Sequence, residues 1–318
     1  MYIIYNNVVY VMQKKKVFSA ANRLSVDYLS HGTSVWVFAR EQLEKYKCVN
    51  HGQGFPDWSS PEFVKKAAQD SVEEDHNQYC SPFGHPLLLE QLVVEYSKKF
   101  PKQKLTAKNI QTTIGACGAL ENCCQAFLNP GDEVITFEPY FDFYKFHVAH
   151  AQAFMKTVPV HLNAKKTGWE FDMKAFEQAI SKKTKMFILN TVLSPFKKSA
   201  RGKIFFLFFY FFCKIKPKKR GLSVGRLFYF FLYFFKKKGV CVCMVFTKQQ
   251  LEEIVKVLKK HPQVIVVSDE VYEDLVYDNT VHHHIANLDD GKMFDRTITI
   301  SSAAKNSVSQ AGRLAGAL

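Results

Sequence analysis

Three short apolar runs that stop abruptly at polar residues do most to limit the fold. They are Val134-Ile135-Thr136-Phe137, Val264-Ile265-Val266-Val267 and Thr297-Ile298-Thr299-Ile300. Each is strand-length, and such runs suit strands buried on both faces of a mostly parallel sheet. Leu251 to Lys260 is an amphipathic helical pattern with basic residues in its last turn. It would cover the sheet just before the Val264 run, as in a βαβ unit. At 318 residues the chain can bury a large α/β core. Open α/β sheets bind ligands outside the carboxyl ends of their strands, so the residues that follow these runs are the first candidates for chemistry.

After the Val264 run come Ser268-Asp269-Glu270-Val271-Tyr272, and after the Thr297 run come Ser302-Ala303-Ala304-Lys305 and then Arg313. A carboxylate, a phenol, a hydroxyl, an amine and a guanidinium together form a set that can hold pyridoxal phosphate. The Lys305 amine can bond covalently to the cofactor aldehyde. Asp269 can pair with the pyridinium nitrogen, Tyr272 can hydrogen-bond the phenolic oxygen, and Ser302 and Arg313 suit the phosphate. Taken singly, an Asp-Glu pair after a strand is a helix cap with a first-turn acid, and a lone lysine is a solvated side chain. The combination carries the reading. Gly115-Ala116-Cys117-Gly118 precedes the helix-forming Ala119-Leu120-Glu121-Asn122. Free N–H groups at a helix start attract anions, so Ala116 and Cys117 are further phosphate candidates. Tyr140 lies just past the Val134 strand and can stack on the ring or serve as a core tyrosine.

On these residues, and on segments in the same order along the chain, the sequence resembles the fold-type-I class I/II pyridoxal-phosphate aminotransferases. It looks most like the kynurenine aminotransferase and cysteine-conjugate β-lyase group. The matching segments include Asn50-His51-Gly52-Gln53-Gly54-Phe55-Pro56-Asp57, Asn77-Gln78-Tyr79 with Phe83-Gly84-His85-Pro86-Leu87, Asn129-Pro130-Gly131-Asp132-Glu133-Val134, and Glu138-Pro139-Tyr140-Phe141-Asp142. The resemblance covers residues 20–192 and 245–318. It implies an α/β fold: the large pyridoxal-phosphate domain, a mostly parallel sheet between helices. Residues 1–20 would be an unmatched extension, 21–50 an N-terminal arm, and 51–318 the large domain, with the small C-terminal domain missing. Tyr79 would reach a neighbouring subunit's cofactor phosphate, which implies a homodimer. Gly54 and Trp36 would face the substrate, and Arg313 would bind the phosphate. The family's Asn-Pro-x-Gly belongs just after Asn190-Thr191; here Ser194 occupies the place of its asparagine. The segment Asn306 to Gly312 also departs from the family's Thr-Phe-Ser-x-Thr-Gly-Trp, which alters the packing around the lysine. The implied reaction moves the amino group of a kynurenine-like or aromatic amino acid to a 2-oxo acid. Lys305 would serve as the α-proton base, with β-elimination from cysteine conjugates as a side activity. No residue can be assigned the arginine that grips the substrate α-carboxylate, and an inactive protein of the same fold is the alternative.

Leu193 to Met244 stands apart. It holds 13 Lys and Arg, no Asp or Glu, and 12 of the 29 phenylalanines. It therefore accounts for 13 of the net charge of +14, and the basicity is no sign of a nucleic-acid partner. Its apolar runs, Ile204 to Cys213 and Leu227 to Phe235, are half the roughly 20 residues that a spanning helix needs. They are aggregation-prone when exposed. The composition reads first as translated AT-rich noncoding sequence, with a membrane- or partner-binding insertion, or a packed structural insertion, as the alternatives; no membrane partner is expected. The eight cysteines read as reduced thiols in a cytoplasmic protein, a mitochondrial location being the alternative. Cys123 and Cys124 are expected on different faces of a helix. His282-His283-His284 follows a turn signal at Tyr277-Asp278-Asn279, so these histidines are expected in solvent and no metal site is expected.

Overall fold

A computed structural model describes residues 35–46, 59–162, 169–191, 245–276, 280–306 and 314–317. The chain divides into two units. The smaller contributes one described helix, α1 (Val35–Tyr46). All other described elements belong to the larger.

That unit is built on an eight-stranded sheet in the order β1-β8-β7-β6-β5-β2-β3-β4. The strands are β1 (Gln111–Ile114), β2 (Glu133–Glu138), β3 (Phe154–Leu162), β4 (Trp169–Phe171), β5 (Thr184–Asn190), β6 (Ile265–Asp269), β7 (Thr297–Ile300) and β8 (Leu314–Ala317). The central run β7-β6-β5-β2-β3 is parallel throughout, and both flanks turn antiparallel, through β8 and β1 on one side and β4 on the other. The three apolar runs are therefore parallel strands as expected: β2 extends one residue beyond its run at each end, β6 starts one residue late and runs two further, and β7 matches its run.

Side chains of the central strands alternate between two cores, as the two-residue period of a strand requires. Ile135, Phe137, Phe187, Leu189 and Val266 face one core. Val134, Met186, Ile188, Val267 and Ile300 face the other. Helices α6 (Met173–Ala179) and α7 (Lys248–Lys259) pack on the first side, through Phe176 and through Leu251, Ile254, Val255 and Leu258. Helices α4 (Gly115–Phe127) and α5 (Tyr144–His150) pack on the second. Two more helices, α2 (Glu62–Glu73) and α3 (Pro86–Lys99), precede the sheet.

Helix α7 forms over the predicted pattern but starts three residues earlier, at Lys248 and not at Leu251. Thr247 starts it with a capping box: its hydroxyl accepts from the Gln250 N–H, and the Gln250 side chain accepts from the Thr247 N–H. At its far end the Arg296 guanidinium donates to the carbonyls of Leu258, His261 and Val264. This closes the helix C-terminus and fixes the entry into β6.

Helix α4 corrects two expectations. It begins at Gly115, before Ala119, with Gly115 in the left-handed region at φ 72°, so Ala116 and Cys117 lie in its first turn. Cys123 and Cys124 are both buried, together with Ala119 and Leu120. Positions i, i+1, i+4 and i+5 fit inside one broad apolar stripe, so the adjacent cysteines share the core side and do not divide between faces. Burial pushes both thiols up to about 12.

Candidate cofactor site

The carboxyl ends of three parallel strands meet in register. Asn190 at the end of β5 lies opposite Asp269 at the end of β6, and Asp269 lies opposite Ile300 at the end of β7. The Thr191 N–H donates to the Asp269 carbonyl at 3.1 Å, and the Glu270 N–H to the Ile300 carbonyl at 2.8 Å. Strand alternation then sorts the side chains. Asp269 shares a side with Val267 and faces α4 and α5, whereas Ser268 and Glu270 point to the opposite side.

Asp269 is buried. Its carboxylate accepts hydrogen bonds from the Tyr144 hydroxyl and, at 3.5 Å, from the Val271 N–H. Burial raises its pKa from 3.8 to about 6, which leaves it ionised at neutral pH. Tyr144, wholly buried at the start of α5, has its own pKa raised first by burial and then by the Asp269 charge, so it stays a donor. Cys117 and Tyr272 are close enough to Tyr144 to act on its hydroxyl. Tyr140 stacks on Tyr144 with centroids 6.4 Å apart. Tyr272 is pushed up to about 12 by burial and by Asp269. The half-buried Lys305, on the short helix α8 (Ala303–Asn306), places its Nζ 5.5 Å from the Tyr272 ring centre. The Lys305 N–H donates to the carbonyl of the buried Ser302 at 3.2 Å.

The fold thus links Asp269, Tyr272, Lys305, Ser302, Tyr140 and Cys117, drawn from four separate stretches of chain, with Ala116 beside Cys117 in the first turn of α4. Tyr79 is fully exposed. Arg313, Ser194 and Gly54 lie outside the described residues, as does the side chain of Trp36 on α1. So does the whole Phe/Lys-rich stretch, Leu193 to Met244. Among the described residues no helix is long and apolar enough to cross a membrane.

Sequence reasoning missed Tyr144. A signal was present, since Tyr140 and Tyr144 are four residues apart at a strand-to-helix junction and so can stack. It also misplaced two histidines. The side chains of His282 and His284 are only 6% and 13% exposed, and both contact the fully buried Glu270. The tripeptide looked solvated because the buried carboxylate that draws two of its rings inward is twelve residues away in sequence.

The arrangement fits pyridoxal phosphate. A buried carboxylate held only by neutral donors is an uncompensated charge. Among the described residues, Asp269's hydrogen-bond partners include no ammonium or guanidinium. A pyridinium nitrogen would supply a cation there, and Lys305 stands on the same wall.

Comparison with known proteins agrees. The family model described as aminotransferase class I and II matches residues 46–196 and 243–318. Kynurenine–oxoglutarate transaminase 3 of Mus musculus is 32% identical over 280 residues, covering 86% of this chain and 51% of that protein. Kynurenine–oxoglutarate transaminase of Dictyostelium discoideum is 30% identical over 304 residues, covering 92% and 59%. The chain thus spans a little over half the length of these curated relatives. Among solved structures, N-succinyldiaminopimelate aminotransferase from Mycobacterium tuberculosis superposes with a TM-score of 0.70 at 26% identity, covering 92% of this chain and 63% of that one. With the strand-end constellation, these matches establish that the chain belongs to the class I and II aminotransferases, with the α/β fold of that family.

Proposed function

We propose that the chain carries the cofactor-binding part of a pyridoxal-phosphate transaminase that takes the amino group of kynurenine or a similar aromatic amino acid and delivers it to a 2-oxo acid. The observation that carries this reading is the buried Asp269 carboxylate, with no ammonium or guanidinium among its hydrogen-bond partners in the described residues, on the same wall as Lys305. The names of the relatives support the substrate class.

Asp269, Tyr272, Ser302, Lys305 and the first turn of α4 would hold the cofactor. When bound, pyridoxal phosphate supplies an electron-withdrawing ring that accepts charge from the substrate α-carbon. The protein's part is positional and electrostatic. Asp269 keeps the ring nitrogen protonated, and Tyr144 orients Asp269 by donating to it. Tyr140 offers a ring face, and the N–H groups of the first turn of α4 meet a phosphate. Lys305 Nζ takes the α-proton and passes it on. A homodimer fits this reading: Tyr79, Phe83 and Leu87 are exposed aromatic and aliphatic side chains on consecutive stretches, where the family resemblance puts a neighbouring subunit.

Incubation of the purified chain with pyridoxal phosphate, then borohydride and peptide mass analysis, tests the cofactor reading. The expected result is one cofactor fixed at Lys305 and none in Lys305→Ala. Equal labelling of that variant overturns it. Glutamate formation from 2-oxoglutarate tests the substrate: turnover with aliphatic amino acids but not with kynurenine overturns the aromatic assignment alone.

A further inference from the structure

The end of β6 presents a second constellation, on the side of the sheet opposite Asp269. Glu270 Oε2 lies 3.0 Å from His282 Nε2 and 2.5 Å from His284 Nδ1. One ligand atom from each of the three residues lies within 4.8 Å of the others. The other oxygen of Glu270 accepts from the Ser268 hydroxyl at 2.7 Å, which fixes the carboxylate and leaves Oε2 to the imidazoles.

Glu273 repeats the arrangement. Its Oε1 accepts from Ser301 at 2.5 Å and from Tyr96 at 3.2 Å, and pairs with Lys99 at 3.2 Å. Its Oε2 is buried, has no hydrogen-bond partner, and lies 3.9 Å from His284 Nδ1. An orphaned buried carboxylate oxygen is costly, and this one adjoins the imidazole that already faces Glu270.

We infer that Glu270, His282 and His284, with Glu273 as fourth donor, form a binding site for a divalent transition-metal ion of the zinc class. Two imidazole nitrogens and two carboxylate oxygens are a donor set that such an ion accepts in tetrahedral geometry. Each carboxylate is already anchored through its second oxygen, as ligating carboxylates are. Phe100, with its ring centre 5.0 Å from that of His284, supplies an apolar wall. A cavity of about 420 Å³, lined in part by both imidazoles, Glu273 and Asp274, gives an entry path.

The two Glu270–imidazole spacings are those of hydrogen bonds, whereas Glu273 Oε2 stands 3.9 Å from His284 Nδ1. An ion about 2.0–2.2 Å from each donor sets them somewhat over 3 Å apart. Glu270 follows the strand end directly and is fixed, whereas both histidines lie in a segment without helix or strand, so the adjustment falls on the imidazoles. Ligation needs both imidazoles neutral, and binding releases any proton they share with Glu270. The bound ion would tie this segment to the end of the strand that carries Asp269.

The test uses the purified full chain and metal alone, without cofactor. Zn²⁺ affinity is read by competition with a chromophoric chelator, and Co²⁺ coordination by its visible spectrum. The expected result is one ion per chain, with a four-coordinate Co²⁺ spectrum. Even outer partners of metal ligands contribute roughly 10- to 100-fold in affinity, so His282→Ala and His284→Ala should each weaken binding at least 100-fold. His283→Ala should leave it unchanged. Glu273→Gln keeps the side-chain volume and should weaken binding without loss of the fold, which circular dichroism checks. Absence of stoichiometric binding overturns the inference, as does Zn²⁺ affinity unchanged in the His282 and His284 variants.

Discussion

Burial of its charge makes Asp269 costly to the cofactor-free fold, a cost that a ring cation would offset. Its carboxyl titrates near 6 in the fold instead of 3.8, so between those values the folded chain holds more proton than the unfolded one. The stability of the cofactor-free protein should therefore fall as pH rises from about 4 to about 6, by about 3 kcal/mol from this group, and be level above that range. Urea midpoints across this window, compared with those of Asp269→Asn, check the sign: the variant should lack this part of the slope. The same substitution removes the partner of a ring cation. Breaking a buried pair costs about 3 kcal/mol or more, so pyridoxal phosphate should bind the variant at least about 100-fold more weakly in a fluorescence titration. Equal affinity would show that Asp269 does not meet the ring nitrogen.

At the scale of elements, helix starts carry two separate kinds of information. The start of α4 is the proposed phosphate cradle. Cys117 is exposed in its first turn, while Cys123 and Cys124 are buried with thiols pushed to about 12. Alkylation of the native protein should therefore modify Cys117 and leave the other two intact until unfolding. Pyridoxal phosphate should slow the reaction at Cys117, and peptide mapping after a timed pulse measures both effects. The start of α7 is structural. Thr247→Ala removes a side-chain cap from an N–H of α7 and should lower stability by about 1 kcal/mol, read as a shift in denaturant midpoint with unchanged cofactor affinity. Both helices were legible in the sequence, the first from its glycines and the second from its amphipathic pattern, but the Thr247 capping box that starts α7 three residues before that pattern was not read. Nor was the exact onset of α4, because the left-handed Gly115 lets the helix begin on the last residue of the turn.

At the scale of the molecule, the family match stops at residue 196 and resumes at 243, bracketing the Phe/Lys-rich stretch. The described residues on either side belong to one core. β5 ends at Asn190 within the sheet, and Phe246 is buried with Leu251 against Phe137 and Phe171. Replacing residues 197–242, the gap in the family match, with a short polar linker keeps Ser194 and should therefore preserve cofactor binding and raise soluble yield, since it removes two uncharged aromatic runs. Loss of pyridoxal-phosphate binding on excision would show that the stretch contributes to the site.

The sequence by itself determined the parallel sheet and the candidate wall of the site. Strands buried on both faces carry apolar or small hydroxyl side chains along most of their length, and the charged and polar residues that follow them fall at the ligand-binding edge. Asp269, Tyr272, Lys305 and Tyr140 were readable for that reason. Only the tertiary structure decided which side each strand-end residue faces and what meets it there. Register set Asn190, Asp269 and Ile300 in one row, and pleating sent Asp269 to Tyr144 and Glu270 to the histidines. Those partners are 125, 12 and 14 residues away in sequence. No local pattern encodes such distances, because what brings the groups together is the shared need of buried polar atoms for partners.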